Sequence, residues 1–359
     1  MKISATNTST CTFALSLILL LLLAMPPLTM SFQRTVAAMY QPYRMHSELF
    51  NEENFKHKWL QWLHPDFLEI HEAVQAAPET AKPEEISSKL KVEMPEVYSF
   101  NVFAPEFLEI FNDEVKNFYS SSEKYGIPTR RPNSMNKYGV IVNEIGMRPL
   151  LTSFQQEYLW PVAKKLFPKQ ASQFDDHHSF IVRYQAEEDL GLDMHTDDSD
   201  VTFNVCMGEE FTGSTLSFCG MFGSPDHRKF SLVYHPEVGR AILHLGTRRH
   251  GADDIESGRR TNLIVWNHNW AWRASTEHKA RRIYYQPEEG PPDDVCLSYT
   301  HDVDYPAYKD LPESVMRHPE TYRPWCPPKG KEYEGYDEQM IYAAKRKAKK
   351  LDIQKQDEL

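Results

Sequence analysis

From Phe180 to Trp270 the chain is a succession of short β-branched and aromatic runs separated by Gly, Pro and Asp. No other pattern in the 359 residues constrains the fold as tightly. Runs this short bury themselves as strands rather than helices, and their close spacing suits the packed sheets of a jelly roll. Strands are expected over 179–184, 201–206, 214–218, 230–235, 240–245, 249–252 and 260–267.

Upstream the period changes. Phe107, Phe111, Val115 and Phe118 recur at helical spacing within Pro105 to Ser121, an aromatic stripe suited to core packing. Leu151, Phe154, Tyr158 and Val162 repeat it, with Pro161 placed to kink or divide the segment. Residues 45–100 are rich in charge and Pro, and Trp59, Trp62, Leu63, Phe67, Leu68 and Ile70 suggest short capping helices. The fold class is therefore mainly β with flanking α. Its parts run 1–30 as a leader, 31–100 as a helical and irregular extension, and 101–175 as supporting helices. Residues 176–272 form the core, and 273–359 a Pro- and Tyr-rich wrap with a helix over Tyr336 to Gln354.

Within the β-rich stretch, Leu192-Asp193-Met194-His195-Thr196-Asp197 sets two ligand-type side chains around one residue. On a strand or its exit both leave the same face, so both can reach one metal. A second imidazole from a distant strand would complete two His and one carboxylate, the set that leaves open positions on non-haem Fe(II). His227, His235, His244, His250 and His268 compete for that place. His250 is favoured because Ala241-Ile242-Leu243-His244-Leu245 reads as a buried strand turning through Gly246 and Thr247 into His250-Gly251-Ala252. His244 is then a packed core histidine, and His177-His178 flank the first strand. Ten residues beyond His250 stands Arg260, a permanent cation whose planar fork suits a carboxylate. Arg259 is its rival; alternation sends the two to opposite faces without deciding which points inward.

The stretch from Phe180 to Trp266 resembles the catalytic core of Fe(II)- and 2-oxoglutarate-dependent dioxygenases of the prolyl and lysyl hydroxylase type. A narrower resemblance is to the 2-oxoglutarate and iron-dependent oxygenase domain-containing protein 2 family. It is carried by Arg131-Pro132-Asn133-Ser134-Met135-Asn136-Lys137-Tyr138-Gly139-Val140, Thr202-Phe203-Asn204-Val205, Phe211-Thr212-Gly213, His250-Gly251-Ala252 and Asn262-Leu263-Ile264-Val265-Trp266, and covers roughly residues 100–272. The resemblance implies a double-stranded β-helix, a distorted jelly roll, with His195, Asp197 and His250 on iron. By its Gly-x-Arg spacing it assigns Arg260, not Arg259, to 2-oxoglutarate. Ser214 departs from the family, which tends to carry a second glycine after Gly213.

Such a site implies Fe(II) with 2-oxoglutarate and oxygen as co-substrates, release of succinate and carbon dioxide, and hydroxylation of a nearby C–H bond. Ascorbate is the reductant that the resemblance implies. Tyr184, on the expected strand at 179–184, is a candidate to hydrogen-bond the oxoacid, with Asn204 and Asn262 behind it; for each the alternative is a satisfied polar core residue. A polypeptide side chain is the expected substrate, on analogy of fold and compartment. A small-molecule or lipid hydroxylase is the alternative if the pocket is deep and apolar. A non-catalytic jelly-roll binding protein is a third reading, and it predicts a damaged metal set.

Phe13 to Met25 form an apolar run with Lys2 before it and Pro26-Pro27 after it, the layout of a signal peptide, with an uncleaved type II anchor as the alternative. The chain ends Gln356-Asp357-Glu358-Leu359, one residue away from known endoplasmic reticulum retrieval signals. Together they predict the lumen of that compartment and a retrieval receptor as partner. A formal charge of −11 argues against nucleic acid. The basic run Lys345 to Lys350 reads as a solvated helix face. Of five cysteines, Cys11 lies in the leader, Cys206 and Cys219 read as free thiols in core strands, and Cys296 and Cys326 are placed to pair in an oxidising lumen.

Overall fold

The computed structural model describes residues 28–186, 188–283, 288–298 and Asp304. Its strands are β1 (Lys91–Met94), β2 (Val97–Asn101), β3 (Gly139–Ile141), β4 (Asp176–Gln185), β5 (Leu192–His195) and β6 (Val201–Gly208). They continue with β7 (Phe211–Gly213), β8 (Leu216–Met221), β9 (Phe230–Tyr234), β10 (Arg240–Leu245), β11 (Arg248–Ala252) and β12 (Ile255–His268). A large sheet runs β1-β2-β10-β6-β12-β4-β3 with β7 on β12, and a four-stranded sheet runs β5-β11-β8-β9. The pairings are antiparallel throughout, and two such sheets face to face make a distorted jelly roll.

The pleat of the large sheet sends alternate residues to different neighbours. Ile181, Phe203, Val205, Leu243, Leu263 and Val265 join the core under the helices, while Phe180, Val182, Tyr184, Ile242 and Ile264 face the small sheet. Covered on both sides, these strands read as unbroken apolar runs.

The helical layer comprises α1 (Leu28–Tyr40), α2 (Glu52–Trp62), α3 (Pro65–Ala76), α4 (Pro105–Tyr125), α5 (Arg148–Phe154) and α6 (Trp160–Leu166). The stripe on α4 is buried as its spacing predicts, and Gly126 ends the helix in the left-handed region at φ 66°. Between α5 and α6 the five residues Gln155–Leu159 form a π-helical turn, which divides the segment just ahead of Pro161. Two short helices, α7 (Trp270–Ala274) and α8 (Thr276–Ile283), follow β12.

Besides β3, which falls among the supporting helices expected at 101–175, and β5 and β7, which no expected strand covers, two sequence expectations change. The extension at 31–100 contributes β1 and β2 as well as helices, because β10 supplies the pairing partner that a charged, Pro-rich segment could not advertise. Cys296 bonds to Cys219, not to Cys326, which lies outside the described residues. Cys219 alternates with Phe218 on β8, and so turns outward to meet Cys296, with Met194 beside them. Cys206 is free and buried, as expected. Because the bond closes a span of 77 residues, Cys296→Ser is expected to lower unfolding stability by about 2–5 kcal/mol, read as a fall in the urea midpoint. An unchanged midpoint would remove the bond from the forces that hold the C-terminal segment.

No helix among the described residues is long and apolar enough to cross a membrane. The apolar leader, the helix expected over Tyr336 to Gln354, the basic run at 345–350 and the final four residues lie outside the described residues.

Candidate metal and oxoacid site

His195 and His250 stand directly opposite each other in the β5–β11 register, which brings two imidazoles from distant parts of the chain onto one face. Phe218, the partner of His250 on β8, stacks against it with ring centroids 5.6 Å apart. Asp197 leaves the end of β5, and its backbone N–H donates to the Gly246 carbonyl at 2.8 Å. Gly246 is required there, because a Cβ would stand 2.0 Å from the Ser199 carbonyl oxygen.

His195 Nε2 lies 3.3 Å from Asp197 Oδ1, and His250 Nε2 lies 3.7 Å from Asp197 Oδ2. One ligand atom from each of the three residues falls within 4.8 Å of the others. The Nδ1 atoms face carbonyl oxygens, that of Asp193 at 2.8 Å and that of Arg248 at 3.0 Å. A carbonyl can only accept, so each Nδ1 carries a proton and each Nε2 faces the carboxylate; against its burial, the Asp197 carboxylate holds the His195 imidazole above its ordinary range, and a metal would take the place of that Nε2 proton. Burial pushes the His250 imidazole down to about 3, against the pull of Asp197, which keeps it the neutral donor a metal needs. Burial pushes against ionisation of Asp197 as well, but His250 and His195 hold its carboxyl below the usual range. Two neutral imidazoles and one carboxylate fit Fe(II) in the facial arrangement.

On β12 the pleat turns Arg260 inward and Arg259 outward, which resolves the choice that alternation left open. Arg259 is part-exposed near Glu209, whereas Arg260 is 1% exposed. Arg260 donates from Nε to Asn262 Oδ1 at 2.8 Å and from Nη1 to the Ser214 carbonyl and hydroxyl, the latter at 3.1 Å. These partners are neutral, and among the described residues no carboxylate forms an ion pair with this guanidinium. Asp253 acts on it only from beyond ion-pair distance, and a buried cation in no direct ion pair is further stabilised if an anion joins it. Ser214, where the family tends to glycine, holds φ at 53° and adds a hydroxyl contact that glycine lacks.

One cavity between the sheets is lined by His195, Asp197, His250, Arg260, Tyr184, Asn204 and Asn262 together. Tyr184 pairs with Arg260 across β4 and β12, its ring 5.6 Å from the guanidinium carbon, and burial pushes its hydroxyl up to about 12. It therefore stays a neutral donor. Asn262 accepts from Arg260 and donates to Asn204 Oδ1 at 2.5 Å. Those bonds make the two asparagines a support for Arg260. His244, on β10, packs edge-on against His250 at 4.6 Å with its Nδ1 on the Leu245 carbonyl, outside the group of three.

Thr202 stands in the sequence reading only as part of the Thr202–Val205 motif, without a role at the metal residues. Its hydroxyl donates to Asp197 Oδ2 at 2.6 Å and so links the large sheet to the carboxylate. Its parity with Asn204 on β6 was the available signal. Thr202→Val is expected to weaken Fe(II) affinity about 10–100-fold, measured by titration under nitrogen; wild-type affinity would deny this hydroxyl any part in orienting Asp197. Asn133 and Asn136 were also missed as lining residues. Asn133 Oδ1 accepts from the Met135 and Asn136 N–H groups at 2.8 and 2.7 Å, which folds the 131–138 segment into a tight turn over the cavity.

A jelly roll that converges two imidazoles and a carboxylate beside a buried arginine has the architecture of Fe(II)- and 2-oxoglutarate-dependent oxygenases. Residues 36–172 match the OGFOD2-like domain family, a match that spans most of the helical layer and the 131–138 turn and ends before β4. It is 32% identical over 255 residues to the 2-oxoglutarate and iron-dependent oxygenase domain-containing protein ICU11 of Arabidopsis thaliana, covering 66% of this chain and 63% of that one. It is 40% identical over 173 residues to the 2-oxoglutarate and iron-dependent oxygenase domain-containing protein 2 of Xenopus tropicalis, covering 47% and 48%. The chain thus spans about half to just under two thirds of the length of these relatives. Among solved structures, the prolyl 4-hydroxylases from Phytophthora capsici align at a TM-score of 0.42 and 10% identity, over 81% of this chain and 91% of theirs.

Proposed function

We propose that this protein is an Fe(II)/2-oxoglutarate-dependent dioxygenase that hydroxylates a polypeptide side chain, with release of succinate and carbon dioxide. The observation that carries the reading is the shared cavity, in which a complete metal donor set and a buried arginine in no ion pair among the described residues face the same space. His195, Asp197 and His250 would hold the metal, and Arg260 with the Tyr184 hydroxyl would hold the far carboxylate of the oxoacid. Bound there, iron supplies the activation of oxygen and of the substrate C–H bond.

The protein's own part is geometric. Carbonyl acceptors hold the two imidazole N–H groups, and Thr202 and the Gly246 turn hold Asp197. Asn262 and Ser214 hold Arg260, while Phe180, Val182, Leu216 and Ile264 keep water from the cavity walls. The intact donor set speaks against a non-catalytic binding protein. The procollagen-lysine,2-oxoglutarate 5-dioxygenase 1 of Gallus gallus, 24% identical over 238 residues, covering 63% of this chain and 29% of that one, supports a polypeptide substrate over a small molecule or lipid.

An oxidising compartment is supported by the Cys219–Cys296 bond, which a reducing cytosol would not sustain. With the apolar leader and the retrieval-like ending, this favours the endoplasmic reticulum lumen, reached as a cleaved or type II anchored chain, with a retrieval receptor and ascorbate as further partners. The test is succinate formation from 2-oxoglutarate under Fe(II), oxygen and ascorbate, with and without a luminal protein extract. Turnover that stops with an iron chelator is expected. No turnover, together with no binding of iron or 2-oxoglutarate, would return the chain to the binding-protein reading.

A further inference from the structure

Outside the inner cavity two further clefts open beside the metal residues. One reaches from His195 past Asn133 and Met135 to His178 and Trp266. The other reaches from Asp197 past Phe222 to Arg273 and His278. They meet at Thr196 and Asp198, which line both. A small molecule fills one such cleft. An extended chain laid across residues 196–198 fills both, and passes beside His195 and Asp197 as it does so.

The wall of the first cleft is preformed. The Asn133 turn sets Met135, and the buried Asp189 accepts from the Lys137 and Tyr138 N–H groups at 2.8 and 3.1 Å. Such a wall binds without an ordering penalty. Charge selects the occupant. The Arg273 guanidinium donates to Asp198 Oδ1 and Asp200 Oδ2, both at 2.9 Å. Two carboxylates share one cation, so a negative charge is left at the junction; Asp200 is buried and the Asp198 side chain is 75% exposed. Among the described lining residues of both clefts Arg273 is the one Arg or Lys.

We propose that the substrate is an extended polypeptide crossing residues 196–198, with a lysine or arginine beside the hydroxylated residue held by Asp198. This rests on the oxygenase reading. In the reaction one atom of O2 enters the new C–OH bond and the other enters succinate. The C–H bond and the decarboxylated oxoacid each give two electrons.

The test presents wild type and Asp198→Lys with pools of roughly ten-residue synthetic peptides enriched in Lys and Arg, neutral, or enriched in Asp and Glu. Succinate and the gain of one oxygen by the peptide are read together. The wild type is expected to prefer the cationic pool about three- to fivefold in kcat/KM, and Asp198→Lys to reverse the order. Asp198→Asn, expected to lose the preference without reversing it, serves if the Lys variant does not fold. Equal use of the pools by the wild type, or hydroxylation of a lipid or small metabolite and of no peptide, would overturn the proposal. The visible absorption of the anaerobic iron–2-oxoglutarate chelate separates the two levels. Chelate without peptide turnover defeats this inference alone, and no chelate defeats the oxygenase reading beneath it.

Discussion

Asp197→Ala is expected to abolish succinate formation and to weaken Fe(II) binding by at least about 100-fold. Loss of a group that merely orients a ligand costs about 10–100-fold in affinity, and Asp197 is the one anion of the donor set itself. Its side chain is 4% exposed, so water cannot easily replace the lost oxygen, and a dication between two neutral imidazoles would lack compensating charge. Anaerobic iron titration beside the succinate assay decides it, with the melting temperature as a control for folding. Retained iron affinity and turnover would remove Asp197 from the metal site and with it the proposed mechanism.

Arg260→Met should act on the other half of the reaction. Truncating one partner of a buried, hydrogen-bonded charge pair costs about 2–5 kcal/mol, which corresponds to a rise of roughly 30- to 4000-fold in the KM for 2-oxoglutarate. Iron binding should survive, since Arg260 donates to Asn262 and Ser214 and not to the metal residues. Stability responds to two opposed effects. Asn262 and Ser214 lose a donor, at about 1–3 kcal/mol each, while a buried cation in no direct ion pair is removed. The net change in melting should therefore be small beside the loss of affinity. Calorimetric titration of 2-oxoglutarate into the anaerobic metal-loaded variant checks this, and wild-type affinity there would mean that the oxoacid is anchored elsewhere.

Much of this was legible in the residues because the signals were local. The seven expected strands lie in or across β4, β6 and β8 to β12, since each carries its own apolar run and its own turn residues. His195 and Asp197 share a face through spacing alone. What stayed hidden depends on partners far away in the chain. The Asp197–Thr202 bond crosses between sheets, and the Cys219–Cys296 bond needs a distance that no spacing supplies. β1 and β2 are strands because β10 is beside them. The asparagines were visible as inward polar residues, but their role as a brace for Arg260 depends on rotamers and hydrogen bonds that parity does not specify.

The metal residues hang from β5 and β11 of the small sheet, while Arg260 hangs from β12 of the large one. An oxoacid gripped at the iron and at the guanidinium would tie the two sheets together, and its carbon chain would have to match the gap. The spacing of the jelly roll thus works as a ruler for the co-substrate. Oxaloacetate, one methylene shorter, would leave one of its two ends unheld.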